Sequence, residues 1–170
     1  MKKLLVVVDM QNDFVTGALG SKEAVAILPN IMKKLATARE NGVTVVFTRD
    51  THFDNYLTTQ EGKNLPVVHC IKDTRGWEIV EGLFHEGECV FDKPTFGSLE
   101  LARFVKEEGF DEVELVGVCT DICVVSNALL IKAYCPEIKI RVDANCCAGV
   151  TRESHESALK TMSSCQVEIF

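Results

Sequence analysis

The chain has 170 residues, 46% of them hydrophobic and 25% charged, which fits one globular domain able to bury about 70% of its unfolded surface. A formal net charge of −7 and a pI near 5.1 argue against nucleic-acid and anionic-membrane partners, and no stretch approaches the ~18 apolar residues of a membrane span. Lys2-Lys3 before Leu4–Val8 has the start of an export signal, but Asp9 ends the run short of the ~7–15 apolar residues such a signal needs. The eight cysteines are therefore expected as free thiols in a reducing cytoplasm.

Leu4–Val8 is a continuous apolar run and reads as a central parallel strand ending at Asp9. Met10–Gly20, with Asn12, Asp13, Gly17 and Gly20, reads as loop. A helix is predicted from Leu28-Pro29 to about Glu40, with Ile31, Met32, Leu35 and Ala38 at helical spacing and Gly42 just beyond. Val43–Thr48 is a second buried strand leading into Arg49-Asp50. Thr51–Arg75 keeps no period, and a loop that long inside a compact domain is usually functional. Trp77–Leu83 is predicted as a short helix and Cys89–Phe91 as a third strand, ending at Asp92-Lys93-Pro94. Ser98 caps a helix to Glu108, closed by Gly109.

The run from Val113 is a further buried strand closed by Gly117, a tight turn follows, and a helix begins at or beside Cys123 with Asp121 or Thr120 as its cap. Val124, Val125, Ala128, Leu129 and Ile131 supply its apolar stripe. Ile138–Val142 is a fifth strand ending at Asp143. A last helix starts from Thr151 or Ser154 and runs to about Met162, before a sixth strand at Gln166–Ile169. Strands alternating with helices predict a single α/β domain, a six-stranded and mainly parallel sheet flanked by helices on both faces.

In such sheets ligands bind beyond the carboxyl ends of the strands. Asp9, Asp50, Lys93, Cys119–Cys123 and Asp143 all fall there. A thiol among the free N–H groups of a helix N-terminus has its pKa lowered, and the same N–H groups can hold an oxyanion. Asp9 is the natural base, its pKa raised by desolvation, and Lys93 supplies positive charge for both anions. Each residue also has a plain reading: Cys123 as a small buried hydrophobe, Asp9 as a loop-starting acceptor, Lys93 as a surface cation. Three such types at three strand ends weigh toward a site.

Asp50 and His52 leave an extended chain on one face, with Glu61 and His69 further along the irregular segment. Such N/O ligands suit zinc, manganese or iron without choosing among them; solvated polar loop residues are the alternative. Cys119 and Cys123 are not spaced as a thioredoxin-like pair. A non-enzymatic thiol sensor stays open as a rival class.

Four segments, in order along the chain, resemble the isochorismatase-like cysteine hydrolases, and the nicotinamidase branch most closely. They are Val7-Val8-Asp9-Met10-Gln11-Asn12-Asp13-Phe14, Thr48-Arg49-Asp50-Thr51-His52, Lys93-Pro94-Thr95-Phe96 and Gly117-Val118-Cys119-Thr120-Asp121-Ile122-Cys123. The resemblance implies a triad of Asp9, Lys93 and Cys123, a cis peptide between Val118 and Cys119, and an oxyanion hole from the N–H groups of Cys119 and Cys123. It also implies one divalent ion on Asp50, His52, Glu61 and His69, zinc first, with manganese or iron as alternatives. Phe14 and Phe96 become walls for a substrate ring whose nitrogen the ion holds. The implied partner is a small-molecule amide, nicotinamide, cleaved to nicotinate and ammonia through a thioester, in a homo-oligomer of two or four chains. Isochorismatases proper lack a cysteine at this position. Pro66 stands where several nicotinamidases place an aromatic, so a wider pocket for another small amide or carbamoyl compound is the nearer alternative.

Overall fold

A computed structural model describes residues 1–170. Six strands form one all-parallel sheet in the order β3-β2-β1-β4-β5-β6: β1 (Lys3–Val8), β2 (Thr44–Asp50), β3 (Cys89–Lys93), β4 (Glu112–Val118), β5 (Lys139–Ala148) and β6 (Glu168–Ile169). The helices are α1 (Asn12–Val15), α2 (Lys22–Glu40), α3 (Gln60–Asn64), α4 (Leu99–Glu108), α5 (Val125–Tyr134) and α6 (Arg152–Ser164). None is long and apolar enough to cross a membrane. The expected α/β class and covered parallel sheet are what the chain adopts.

Strand β1 shows why its run is unbroken. Leu4, Val6 and Val8 point into the apolar layer shared with α4, α5 and α6, and Leu5 and Val7 into the layer under α2. With both faces covered, every position is apolar rather than every second one. Fully buried side chains of this size contribute about 1.5–3 kcal/mol each.

Several boundaries differ from the sequence reading, each for a local reason. Helix α2 starts six residues before Leu28, at Lys22, because the Ser21 hydroxyl accepts the Ala24 N–H at 3.0 Å. Pro29 therefore lies inside the helix rather than in its first turn, leaving the carbonyl of exposed Val25 without its helical donor. The segment expected as loop after β1 contains α1, one turn long. Residues 77–83 form no helix: Ile79 pairs with Gln11, the Val80 N–H donates to Met10 O at 2.9 Å, and Gly82 has a φ of 85°. Strand β5 continues past Asp143 to Ala148 after a register shift opposite Leu115–Gly117. Asp143 consequently faces α2, 2.7 Å from Lys34 Nζ, and is not at the carboxyl edge.

Strand order reverses between β1 and β4, and in such sheets ligands bind beside the carboxyl ends at this switch point. Gly117 makes this junction possible. Its φ is 118°, and a Cβ there would run into the Val8 carbonyl. Gly117→Ala is expected to lower stability by about 1–3 kcal/mol, read as a shifted urea midpoint at unchanged m-value. A midpoint equal to that of the wild type would mean that β1 and β4 tolerate a wider approach.

Candidate active site and metal centre

Three strand ends converge at this switch point. Asp9 follows β1 with a φ of 47°, a left-handed conformation that Asp tolerates better than most residues. Its N–H donates to Thr48 O at 3.2 Å and its Oδ1 accepts the Thr48 hydroxyl at 2.6 Å. Lys93, the last residue of β3, extends its ammonium to within 2.6 Å of Asp9 Oδ2, 3.3 Å of Cys123 Sγ and 3.1 Å of Thr95 O. Asp9 Oδ2 has no donor in hydrogen-bond geometry, so the short Asp9–Lys93 contact is an ion pair approached off-axis. Asp9, Lys93 and Cys123 are all buried.

Cys123 does not begin an ordinary helix. Residues Thr120–Val124 form one wide turn, closed by the Val124 N–H on Cys119 O at 3.0 Å, and α5 follows from Val125. Neither expected cap acts as one. The Thr120 hydroxyl pairs with His155 Nδ1 at 2.7 Å, and Asp121 Oδ1 accepts the Val150 N–H at 3.0 Å. The Val118–Cys119 peptide is cis, and the Cys119 N–H donates to no acceptor in the protein. That leaves a donor free beside the thiol.

The electrostatics correct one sequence expectation. Burial pushes the Cys123 thiol well above its ordinary value and Asp9 adds to this, while Lys93 opposes them. The wide turn does not deliver a thiolate at rest. Burial also raises Asp9, against the pull of Lys93. For Lys93, burial disfavours the charge, but Asp9, Cys123 and Asp50 together outweigh it and hold the ammonium protonated. The arrangement is a neutral thiol beside a carboxylate of heightened proton affinity, both facing a fixed cation.

Beside this cluster, Asp50, His52, Glu61 and His69 bring one ligand atom each within 4.8 Å of one another. Asp50 Oδ2 lies 2.9 Å from His52 Nε2 and 3.3 Å from His69 Nε2; Glu61 Oε1 lies 3.5 Å from the first histidine and 3.9 Å from the second. Tetrahedral ligands at ~2.0–2.2 Å from zinc are ~3.3–3.5 Å apart, so these separations suit a small divalent ion. The His69 ring gives a second indication. Its Nδ1 lies 2.7 Å from Val67 O, which assigns the ring proton there and aims the Nε2 lone pair at the Asp50 carboxylate. A lone pair facing an anionic oxygen is satisfied by a metal ion between them or by a second proton on the ring, which Asp50 favours. The residues fit a metal ion of this kind.

The structure brings ten of the expected residues to one edge and leaves Asp143 off it. Phe14 is half-buried, its ring 5.5 Å from that of His69 in an edge-on arrangement, and Phe96 is 42% exposed at the rim. Residues not anticipated are Thr48, which holds Asp9, and Tyr56, buried with its ring 4.6 Å from His52 and 5.0 Å from His69. Gln11, also missed, donates to Asp50 O at 2.8 Å and accepts the Asp50 N–H at 2.7 Å. An amide two residues after Asp9 was the available signal for it. A concavity of about 920 Å³ lies at the opposite edge of the sheet, where Lys34, Glu114, Arg141 and Asp143 already pair with one another. Size alone does not mark the chemistry.

A family model for the isochorismatase domain matches residues 3–170. The nicotinamidase/pyrazinamidase of Mycobacterium tuberculosis is 28% identical over 184 aligned residues, covering 98% of this chain and 97% of that protein. The zinc complex of Pyrococcus horikoshii pyrazinamidase superposes with a TM-score of 0.88 at 29% identity, over 100% of this chain and 99% of that one. The N-carbamoylsarcosine amidase of Thermoplasma acidophilum superposes with a TM-score of 0.82 at 25% identity, over 99% and 95%.

Equilibrium dialysis against zinc, manganese and iron(II) is expected to load one ion per chain, with affinity reduced on the order of 10-fold or more by His69→Ala. Equal loading of the His69→Ala chain would move the ion away from this cluster.

Proposed function

The chain belongs to the isochorismatase family, and on that premise we propose that it hydrolyses the carboxamide of nicotinamide, with Cys123 as nucleophile. The observation that carries this reading is the buried Lys93 ammonium, 2.6 Å from Asp9 and 3.3 Å from the Cys123 sulfur. A general base, a nucleophile and a charge stabiliser meet with water excluded.

Asp9 accepts the Cys123 proton as the sulfur attacks the carboxamide carbon. A C–S bond forms and the carbonyl electron pair moves onto oxygen, where the N–H groups of Cys119 and Cys123 receive it. Lys93 remains protonated and holds the charge of both Asp9 and sulfur. Collapse breaks the C–N bond, and the Asp9 proton leaves with ammonia, giving a thioester on Cys123. Asp9 then takes a proton from water as its oxygen attacks the thioester, and the departing thiolate regains that proton. The balance is amide plus water to acid plus ammonia.

A divalent ion held by Asp50, His52, Glu61 and His69 would supply a Lewis-acidic point for a ring nitrogen. Phe14, edge-on to His69, and Phe96 at the rim would flank the ring. The nearer alternative is a small carbamoyl or aliphatic amide. It is favoured by Pro66 in place of an aromatic and by the likeness to an N-carbamoylsarcosine amidase. The two readings share the same chemistry and differ in the pocket.

Ammonia release from nicotinamide, measured alongside N-carbamoyl amino acids, decides between them. Nicotinamide turnover is expected to disappear in Cys123→Ala protein. Faster turnover of the carbamoyl compounds by wild-type protein would transfer the assignment to them. The pH profile follows from the raised Asp9. This carboxyl must be ionised to accept a proton, so kcat/KM falls as pH drops through a midpoint above the usual carboxylate range of about 4. An acid limb at the ordinary carboxylate value would argue against Asp9 as the base.

A further inference from the structure

Residues 94–97, between Lys93 and the Ser98 cap of α4, make no backbone–backbone hydrogen bond. Pro94 has no N–H to offer, and the carbonyl of Thr95 is held only by the Lys93 ammonium. This segment carries Phe96 and immediately follows Lys93, so its position bears on both the pocket rim and the ammonium. Besides the Lys93 ammonium, one side chain from outside the segment fixes it.

That side chain is Asn127, fully buried on the first turn of α5. Its Nδ2 donates to Cys123 O at 2.8 Å and to Phe96 O at 3.1 Å, and its Oδ1 accepts the Ser98 N–H at 2.9 Å. The orientation of the amide follows from its partners, since two carbonyls need donors and one N–H needs an acceptor. No hydroxyl, carboxylate or ammonium offers two donors and an acceptor on so short a stem. Gly97 adds a steric condition: a Cβ there would press on Leu130, so the segment lies close against α5 where the amide can reach it.

We propose that Asn127 is a positioning residue that clamps the thiol-bearing turn to the Lys93–Ser98 segment. It thereby sets the Cys123–Lys93 alignment through one contact and the Phe96 wall through the other. The inference rests on the reading of Cys123 as nucleophile. It adds that nucleophile alignment and ring binding are separable contributions of one amide.

The test uses full-length, metal-loaded protein and two variants, Asn127→Ala and Asn127→Ser. Two quantities are read: the rate of Cys123 alkylation by iodoacetamide, followed by peptide mass spectrometry, and kcat and KM for nicotinamide. Asn127→Ala removes every contact. It is expected to slow alkylation of Cys123 and lower kcat by on the order of 10- to 100-fold, the scale of a small misplacement at a reacting centre, while KM rises. A serine hydroxyl can bond back to the carbonyl four residues earlier, here Cys123 O, but is too short for Phe96 O. Asn127→Ser should restore alkylation and kcat close to wild type and leave KM raised. A merely structural role would lower both variants' melting temperatures without this split. If wild-type Cys123 reacts readily and both variants match it in alkylation and KM, Asn127 has no such role. A wild-type Cys123 no more reactive than buried Cys147 would overturn the nucleophile reading, and this inference with it.

Discussion

One buried ammonium organises the carboxyl edge of this sheet. Lys93 is 1% exposed, and an isolated charge at that depth would be neutralised or expelled, since desolvating an ion costs several kcal/mol even after relaxation. It persists because Asp9 lies at 2.6 Å and Asp50 at 3.6 Å. These two carboxylates in turn depend on it. Asp9 is also fixed by Thr48, and Asp50 by Gln11 and the two histidines. The ammonium therefore joins two clusters, one that holds a thiol and one suited to a metal ion. Burial raises the proton affinity of Asp9 and Cys123 alike, so proton transfer between them exchanges one disfavoured ion for another with Lys93 facing both.

Strand order does the assembling. With β1 next to both β2 and β4, the ends of the sheet's two innermost strands deliver Asp9 and the turn containing Cys123, and β2 delivers Asp50. Lys93 comes from β3 at the sheet's margin, and only a long, flexible stem spans the distance back to Asp9. An arginine could not replace it on equal terms, because a planar fork of five donors is not a point charge. The wide turn at Thr120–Val124 places the sulfur on the inward side, while the cis bond before it accompanies a free Cys119 N–H.

The sheet and the convergence of its ends were legible because the strands are unusually plain. Leu4–Val8 is apolar throughout and Val113–Val118 is so except for Glu114, and each ends in a polar residue or a turn. Pairwise facts about loops were not legible. Residues 77–83 keep an apolar pattern that suits a helix, yet their hydrogen bonds go to Met10 and Gln11 across the chain, a choice that no local propensity encodes. Asp143 looked like a strand-end residue because the β5 register shift is invisible in one sequence. The fall expected in the Cys123 pKa assumed an exposed helix N-terminus, whereas the thiol is buried and shares its space with Asp9. Thr48, Gln11 and Asn127 escaped attention for a common reason: each is an ordinary polar residue within or beside an element, and its meaning lies in a partner 29 to 39 positions away.

The central claim is covalent chemistry at Cys123. Its most direct test is to mix metal-loaded protein with nicotinamide, quench in acid within the first turnovers, and weigh the intact chain and its Cys123 peptide. The account predicts a fraction of chains heavier by one nicotinoyl group, carried on Cys123 and lost on hydroxylamine treatment. Ammonia released at the same rate with no acyl group on the chain, and undiminished in Cys123→Ala protein, would contradict it and point to direct attack by water.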